Sequence, residues 1–258
     1  MVTPASCCMD FYELPLVEYL LGRSFHPGGP KLTRQLASAV LVHPKAAVLD
    51  IGCGNGNSAR ILAADFGAFV AGCDVSADNL RRARDISMAA TLSAQTSFVR
   101  SLAGRLAFKE QTFDAVLCEC SLCLFGNLDA ALREVFRVLK SGGRVGISDF
   151  FLNAPVPASL EGLLGQALCI AKARSADELQ SAFTRAGFKQ VRIRLVNWAL
   201  TEMMSRVRHK IGVLASAAGP STELLPTDWG DPAPVLQALE RFIDAGGTGY
   251  LLVTARKP

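Results

Sequence analysis

Two groups of residues in this 258-residue chain have the types and the spacing to do chemistry. The first is Asp50-Ile51-Gly52-Cys53-Gly54-Asn55-Gly56, joined by Asp74 at the end of the next apolar run, Phe69-Val70-Ala71-Gly72-Cys73. Three alternating glycines after an apolar run, with a helical pattern beginning at Asn57, describe a strand, a tight turn and a helix N-terminus. Glycine allows positive φ there and lets a ligand approach the backbone, while the helix start offers unpaired N–H donors. An acid roughly 20 residues beyond such a turn is where α/β folds place a ribose-binding carboxylate. Each signal has a plain alternative: the glycines can form a structural turn only, and Asp74 can cap the turn before Ser76.

The second group is built from thiols. Cys118-Glu119-Cys120-Ser121-Leu122-Cys123 is the densest run of eight cysteines, with Cys7-Cys8 near the start and Cys169 later. Thiolates bind soft, thiophilic centres, so a Cys-x-Cys-x-x-Cys run can hold a soft metal. It can also consist of inert buried thiols, since cysteine is among the most buried residue types. Cys53 and Cys73 fit small core or turn residues. Glu119 can act as a general base or hydrogen-bond a ligand's amino group.

These residues must be positioned by regular elements. Ala46–Ile51, Phe69–Asp74, Thr96–Arg100, Phe113–Cys118 and Arg144–Asp149 read as strands. Asn57–Phe66, Ala77–Ala90 and Leu128–Lys140 read as helices, the last closed by a Gly C-cap at Ser141-Gly142-Gly143. Such alternation predicts a parallel sheet covered by helices on both faces, with ligands at the C-terminal strand ends. Helical spacing also marks Phe11–Leu21, Lys31–Val42, an apolar Leu160–Ala173 and Ala176–Ala186. His26-Pro27-Gly28-Gly29-Pro30 is a loop. Lys189–Val196 and Thr248–Ala255 read as strands, separated by two helical stretches. Residues 1–44 thus form an N-terminal helical part, 45–152 the core and 153–258 a C-terminal part.

Half of the residues are hydrophobic and the net charge is +4. This suits an α/β domain with a sizeable core. The basic residues are dispersed, so no nucleic-acid footprint is expected. No apolar run reaches transmembrane length. The first residues lack a basic n-region, so the expectation is a cytoplasmic protein with reduced thiols. Oligomeric state has no signal.

The stretch Val48-Leu49-Asp50-Ile51-Gly52-Cys53-Gly54-Asn55-Gly56, followed by Gly72-Cys73-Asp74-Val75-Ser76, resembles the S-adenosylmethionine (SAM) site of class I methyltransferases. The resemblance implies a doubly wound, mostly parallel, seven-stranded Rossmann-like sheet with an N-terminal helical lid and a final antiparallel pair. It implies that Gly52, Gly54 and Gly56 lie against the methionine part of SAM, that Asp50 orders the loop and that Asp74 binds the ribose. Ser101 and Leu102 stand where the family often has an adenine-binding acid. Cys118 would border the cofactor, and Tyr12 and His26 would belong to the lid and meet a small-molecule acceptor. His26 can equally be a loop residue without a role.

Asp114-Ala115-Val116-Leu117-Cys118-Glu119-Cys120, with Cys169 before Ala186-Gly187-Phe188, further resembles arsenite methyltransferases. That likeness implies As(III) held by Cys120, Cys169 and Cys8 or Cys7, with Cys123 replacing a usual asparagine. Phe136-Arg137-Val138-Leu139-Lys140-Ser141-Gly142-Gly143 resembles ubiquinone and menaquinone C-methyltransferases, which implies a carbon or oxygen acceptor instead. Other readings are a non-catalytic SAM-binding protein and a metal carrier using Cys118, Cys120 and Cys123. A nicotinamide dehydrogenase fits less well, because the glycine spacing differs.

Overall fold

The apolar runs become strands because nearly every residue in them finds a hydrophobic layer on one side of a sheet or the other. In the computed structural model, which describes residues 19–22, 24–160, 170–218 and 232–258, the strands are β1 (Ala47–Ile51), β2 (Phe69–Asp74), β3 (Thr96–Arg100), β4 (Phe113–Glu119), β5 (Leu139–Leu152), β6 (Lys189–Leu195) and β7 (Thr248–Arg256). They form one seven-stranded sheet in the order β3-β2-β1-β4-β5-β7-β6. All pairs are parallel except those of β7, which runs antiparallel to β5 and β6. This is the doubly wound, mostly parallel sheet expected. The chain leaves β1 toward β2 and β3 on one side, then crosses to β4 on the other. The switch point therefore lies at β1 and β4, where such sheets bind ligands.

The helices are α1 (Gly29–Ala39), α2 (Asn57–Phe66), α3 (Ala77–Ala89), α4 (Leu128–Val138), α5 (Ala176–Arg185), α6 (Asn197–Ala218) and α7 (Pro232–Asp244). Leu32 and Leu36 of α1, Leu62 of α2, Leu80 of α3, Leu200 of α6 and Leu239 of α7 pack one face of the sheet. Leu132 and Val135 of α4 and Phe183 of α5 pack the other. Ser76 and Asn127 cap α3 and α4 through their side chains, and Ser175 with Glu178 closes a capping box on α5. No helix among the described residues is long and apolar enough to cross a membrane.

Two expectations change. The helix from Leu128 ends at Val138, and Leu139 is already extended as the first residue of β5. Gly142-Gly143 is therefore no C-cap. The two glycines lie where the β4–β5 register shifts, Gly142 at φ +80°, and a Cβ on Gly143 would meet the Lys140 and Asp114 carbonyls at 2.8 and 3.1 Å. A bulge, not a helix end, is what needs glycine here. The fifth strand is longer than Arg144–Asp149 because β7 pairs with it continuously from Arg144 to Leu152. Of the apolar Leu160–Ala173, the described parts are 3-10 turns at Ala158–Leu160 and Ile170–Lys172. Cys169 lies outside the described residues, as do Cys7, Cys8 and Tyr12.

Lys257 closes the far end of the sheet. Its ammonium donates to the Phe136 and Leu139 carbonyls at 2.7 Å each and lies 4.7 Å from the Phe136 ring centroid. Those carbonyls terminate α4, where backbone acceptors lack helical partners. Lys257→Met keeps the stem but strands both acceptors. It should cost about 1–3 kcal/mol, seen as a lower urea midpoint at unchanged m-value.

Candidate functional site

The glycine loop is fastened to β2. Gly52 and Cys53 both donate N–H to the Cys73 carbonyl, at 2.8 and 3.1 Å, and Gly56 N–H donates to the Cys53 carbonyl at 2.8 Å. Gly52, Gly54 and Gly56 have φ of +69°, +51° and +75°, so glycine is required at each turn of the loop. A Cβ on Gly52 would lie 2.4 Å from Ser121 Oγ, and one on Gly56 2.8 Å from the Phe98 ring, whereas one on Gly54 would meet nothing within 4 Å. Two glycines are thus needed for packing, and the third faces open space where a ligand can lie against the backbone.

Asp74 ends β2 and clamps this loop, accepting from Gly54 N–H and Ser76 N–H at 2.9 Å each. The sequence alternatives for Asp74, turn residue and ligand acid, are therefore compatible. Asp50 lies beneath the loop, 2% exposed, and its Oδ2 has no hydrogen-bond partner. Burial, then the charges of Glu119 and Asp74, push its carboxyl up to about 8 against the Ala59 N–H that it accepts.

Glu119 closes β4 and is the most connected side chain of the site. Its carboxylate accepts from Ser58 Oγ of α2 at 2.7 Å and Thr33 Oγ1 of α1 at 2.9 Å. Ser148 Oγ of β5 lies 3.5 Å away, and His26 Nε2 3.7 Å. Ser24, two residues before His26, accepts from Asn57 Nδ2 at 2.9 Å. The loop before α1 is therefore pinned across the glycine loop at two points. His26 is 4% exposed and its Nδ1 is 3.0 Å from the Pro27 carbonyl. It lies against Glu119 at the end of β4.

Cys120 follows with φ +52°. Its N–H donates to the Ser148 carbonyl at 2.7 Å. The hydroxyl of Tyr250, itself fully buried, donates to Ser148, and burial followed by the charge of Cys120 raises it well above its ordinary range. Asp149 next accepts from the backbone of Leu122 and Phe150 at 2.7 and 2.8 Å, and burial pushes it up to about 7 against these donors. It orders the turn that carries Cys123.

The cysteine run is split by this turn. Cys118 is buried in the layer under α4 and α5, its Sγ 3.0 Å from Ser121 Oγ, and burial raises its thiol well above the ordinary range. Its side chain thus belongs to the core, not to the cofactor face expected of it. Cys120 packs against the opposite layer. Cys120 and Cys123 are half-buried. Among the described residues, no three His, Cys, Asp or Glu side chains converge to hold a metal. Cys53 and Cys73 are core thiols, and burial pushes Cys73 up to about 12. Ser101 N–H donates to the Asp74 carbonyl at 3.0 Å, but its hydroxyl closes its own loop on Arg105 and Ala107. Leu102, 64% exposed, flanks the same end of the sheet. Thr33, Ser58, Ser148 and Tyr250 were not singled out from the sequence. Their only signal is a contact partner 86, 61, 29 or 102 residues away.

Residues 48–143 match the family described as "Methyltransferase domain". The chain is 27% identical over 259 residues to the 27-O-demethylrifamycin SV methyltransferase of Amycolatopsis mediterranei, covering 94% of this chain and 93% of that protein. It is 31% identical over 164 residues to methyltransferase phqN of Penicillium fellutanum, covering 61% of this chain but half of that protein. An arsenite methyltransferase of Halobacterium salinarum is 29% identical over 172 residues, covering 64% of this chain and 41% of its own length. In fold, phosphoethanolamine N-methyltransferase 2 of Haemonchus contortus superposes with a TM-score of 0.84 at 19% identity, over all of this chain and 61% of that one. The sheet order and the glycine loop are those of the class I methyltransferase fold, and residues 48–143 carry the methyltransferase domain. S-adenosylmethionine is the cofactor expected of that domain, and the open backbone at Gly54 and the unpaired Asp50 oxygen fit such a ligand.

Two outcomes follow from this geometry. Left-handed backbone at a residue other than glycine costs about 1–3 kcal/mol, so Cys120→Gly should match or exceed the parent's thermal stability while Cys120→Val falls below it. For Asp50 the folded pKa lies above the unfolded value. Its contribution to stability is present at acid pH and is lost as the pH rises toward about 8. Asp50→Asn should flatten that decline in denaturant midpoints measured from pH 5 to 8, leaving the smaller share due to Asp149.

Proposed function

We propose that this chain transfers a methyl group from SAM to a nucleophilic oxygen or carbon of a small organic molecule. The observation that carries the reading is the glycine loop, clamped by Asp74 with open space above Gly54. The resemblance and this geometry support Gly52, Gly54 and Gly56 as the bed for the methionine part, and Asp74 as the ribose acid. Ser101 N–H is already held by the Asp74 carbonyl, so Ser101 and Leu102 can flank the adenine through backbone and apolar contact. SAM supplies an electrophilic methyl on a sulfonium. The protein's share is to hold the acceptor in line and keep water out.

Cys120 and His26 bracket the acceptor end, on either side of Glu119. Glu119 itself serves as a positioning residue, since its Oε2 is committed to the Ser58 and Thr33 hydroxyls and its Oε1 lies 3.5 Å from the Ser148 hydroxyl. Near-full-length similarity to the rifamycin-type enzyme supports an organic acceptor. A second reading, a thiophilic metalloid such as As(III), rests on Cys120 standing half-buried at the end of β4 and on the arsenite methyltransferase relative. It calls on Cys8 and Cys169, and on Cys123 as a further thiol.

Calorimetric titration of the reduced protein with SAM, alone and with As(III), separates these readings. SAM binding that is lost in Gly54→Val is the expected result, and no SAM binding overturns the cofactor assignment. As(III) binding lost in both Cys120→Ser and Cys169→Ser, with methylated arsenic formed on turnover, would replace the organic acceptor by the metalloid.

A further inference from the structure

Strand pairing gathers basic residues that are far apart in the sequence. β6 is the edge strand beside β7, and β7 lies beside β5. The register sets Lys189 opposite Arg256 and Arg256 opposite Arg144, with Arg192 opposite Thr254 and Arg194 opposite Leu252 on the next rows. Residues directly opposite share a face. That face is the one α1 packs on: Leu252 belongs to the layer of Leu32 and Leu36, while Val191 and Ile193 of β6 pack on the other layer. Lys189, Arg192, Arg194 and Arg256 are exposed, and Arg144 is half-buried. Among the described residues none of these five joins an ion pair, whereas Arg34, Lys140 and Arg206 each hold an acid. Arg194 reaches only the Gln35 amide oxygen, at 3.5 Å. The neighbouring α1 carries Lys31 and Arg34 and no acid.

Like charges directly opposite on a sheet repel, and Lys189, Arg256 and Arg144 stand in one row. Charge on an edge strand guards against strand addition, but that accounts for β6 alone. Arg256 and Arg144 lie on strands paired on both sides and have no edge to guard. We propose that this strip is a docking surface for an acidic helix of a partner protein, seated beside α1 with its carboxylates on these five cations. The strip is about 10 Å across, at about 4.8 Å per strand, close to the diameter of a helix. Arg192 and Arg194, about 7 Å apart along β6, match carboxylates at i and i+4, about 6 Å apart along a helix. Guanidinium groups, four of the five, hold carboxylates bidentately. A single-stranded nucleic acid would call for stacking rings, and the residues of these rows are not aromatic. Arg144 pairs with Ala115, four residues before Glu119, so the row of three is set back from the glycine loop and a docked helix leaves that loop open. The docking surface does not depend on the identity of the methyl acceptor.

The test is fluorescence anisotropy at low salt with a labelled helical peptide that carries glutamates at i, i+4 spacing along one face. A scrambled peptide of the same composition, an oligo(dT) strand and phosphatidylserine vesicles serve as competitors. The helical peptide should bind more tightly than the scrambled one, and added salt should weaken it. The triple variant Arg192→Glu, Arg194→Glu, Arg256→Glu should bind it about tenfold more weakly or worse. A charge-matched variant at exposed positions elsewhere, Arg81→Glu, Lys109→Glu, Arg133→Glu, should bind it as the parent does. If the first triple variant does not fold, glutamine at the same three positions takes its place, with the same direction expected. No binding of the helical peptide at low salt overturns the proposal, as does an equal loss in the charge-matched variant. Tighter binding of oligo(dT) or of the vesicles, lost in the same triple variant, overturns the protein partner in favour of that polyanion.

Discussion

A buried carboxylate, Glu119, holds the mouth of this molecule together. Taking a carboxylate out of water is costly unless hydrogen bonds replace the lost solvent. Here the replacements come from separate elements: Thr33 of α1, Ser58 of α2 and, at longer range, Ser148 of β5. Each donor fixes one element relative to the end of β4. Ser58 sits two residues beyond Gly56, so the same contact sets the position of the helix that begins at the glycine loop. Thr33 and the nearby His26 bring the segment before α1 across that loop. If the carboxylate were removed, the hydroxyls would be left to find other acceptors in a buried layer, and α1, α2 and β4 would lose a shared reference point.

The local electrostatics follow from the same crowding. Three carboxyl groups, on Asp50, Asp74 and Glu119, meet at the C-terminal ends of β1, β2 and β4, because those strands are adjacent and in register. Ile51 stands beside both Cys73 and Cys118. Asp74 is offset by two backbone N–H donors and Glu119 by hydroxyls, whereas Asp50 receives the Ala59 N–H on one side only. Burial beside the Glu119 and Asp74 charges pushes the Asp50 carboxyl up to about 8.

What could be read from the sequence was what depends on neighbours along the chain. The glycine loop, the acid ending β2 and the strand and helix alternation all rest on short-range stereochemistry. The contacts of Glu119 rest on side chains brought together by the crossovers, and nothing in the local pattern marks Thr33 or Ser148. The glycine pair after α4 departs from its local pattern for a related reason. Gly-Gly after a helical pattern signals a C-cap, but strand pairing by Phe113 and Leu139 begins earlier and turns the same glycines into a bulge.

The cysteines show how one backbone angle can redistribute chemistry. Along a continuous strand, Cys118 and Cys120 would point to the same face, two residues apart. The left-handed backbone at Cys120 breaks this alternation. Cys118 stays in the layer beneath α4 and α5, and Cys120 joins the opposite layer near Tyr250. The distortion is held by the Cys120 N–H bond to Ser148, by the donors that Asp149 receives from the next turn and by the anchoring of Glu119 just before it. Glycine would adopt the same angle without strain. A one-residue conformational change thus separates a run of apparent metal ligands into one core thiol and two half-buried ones past the end of β4.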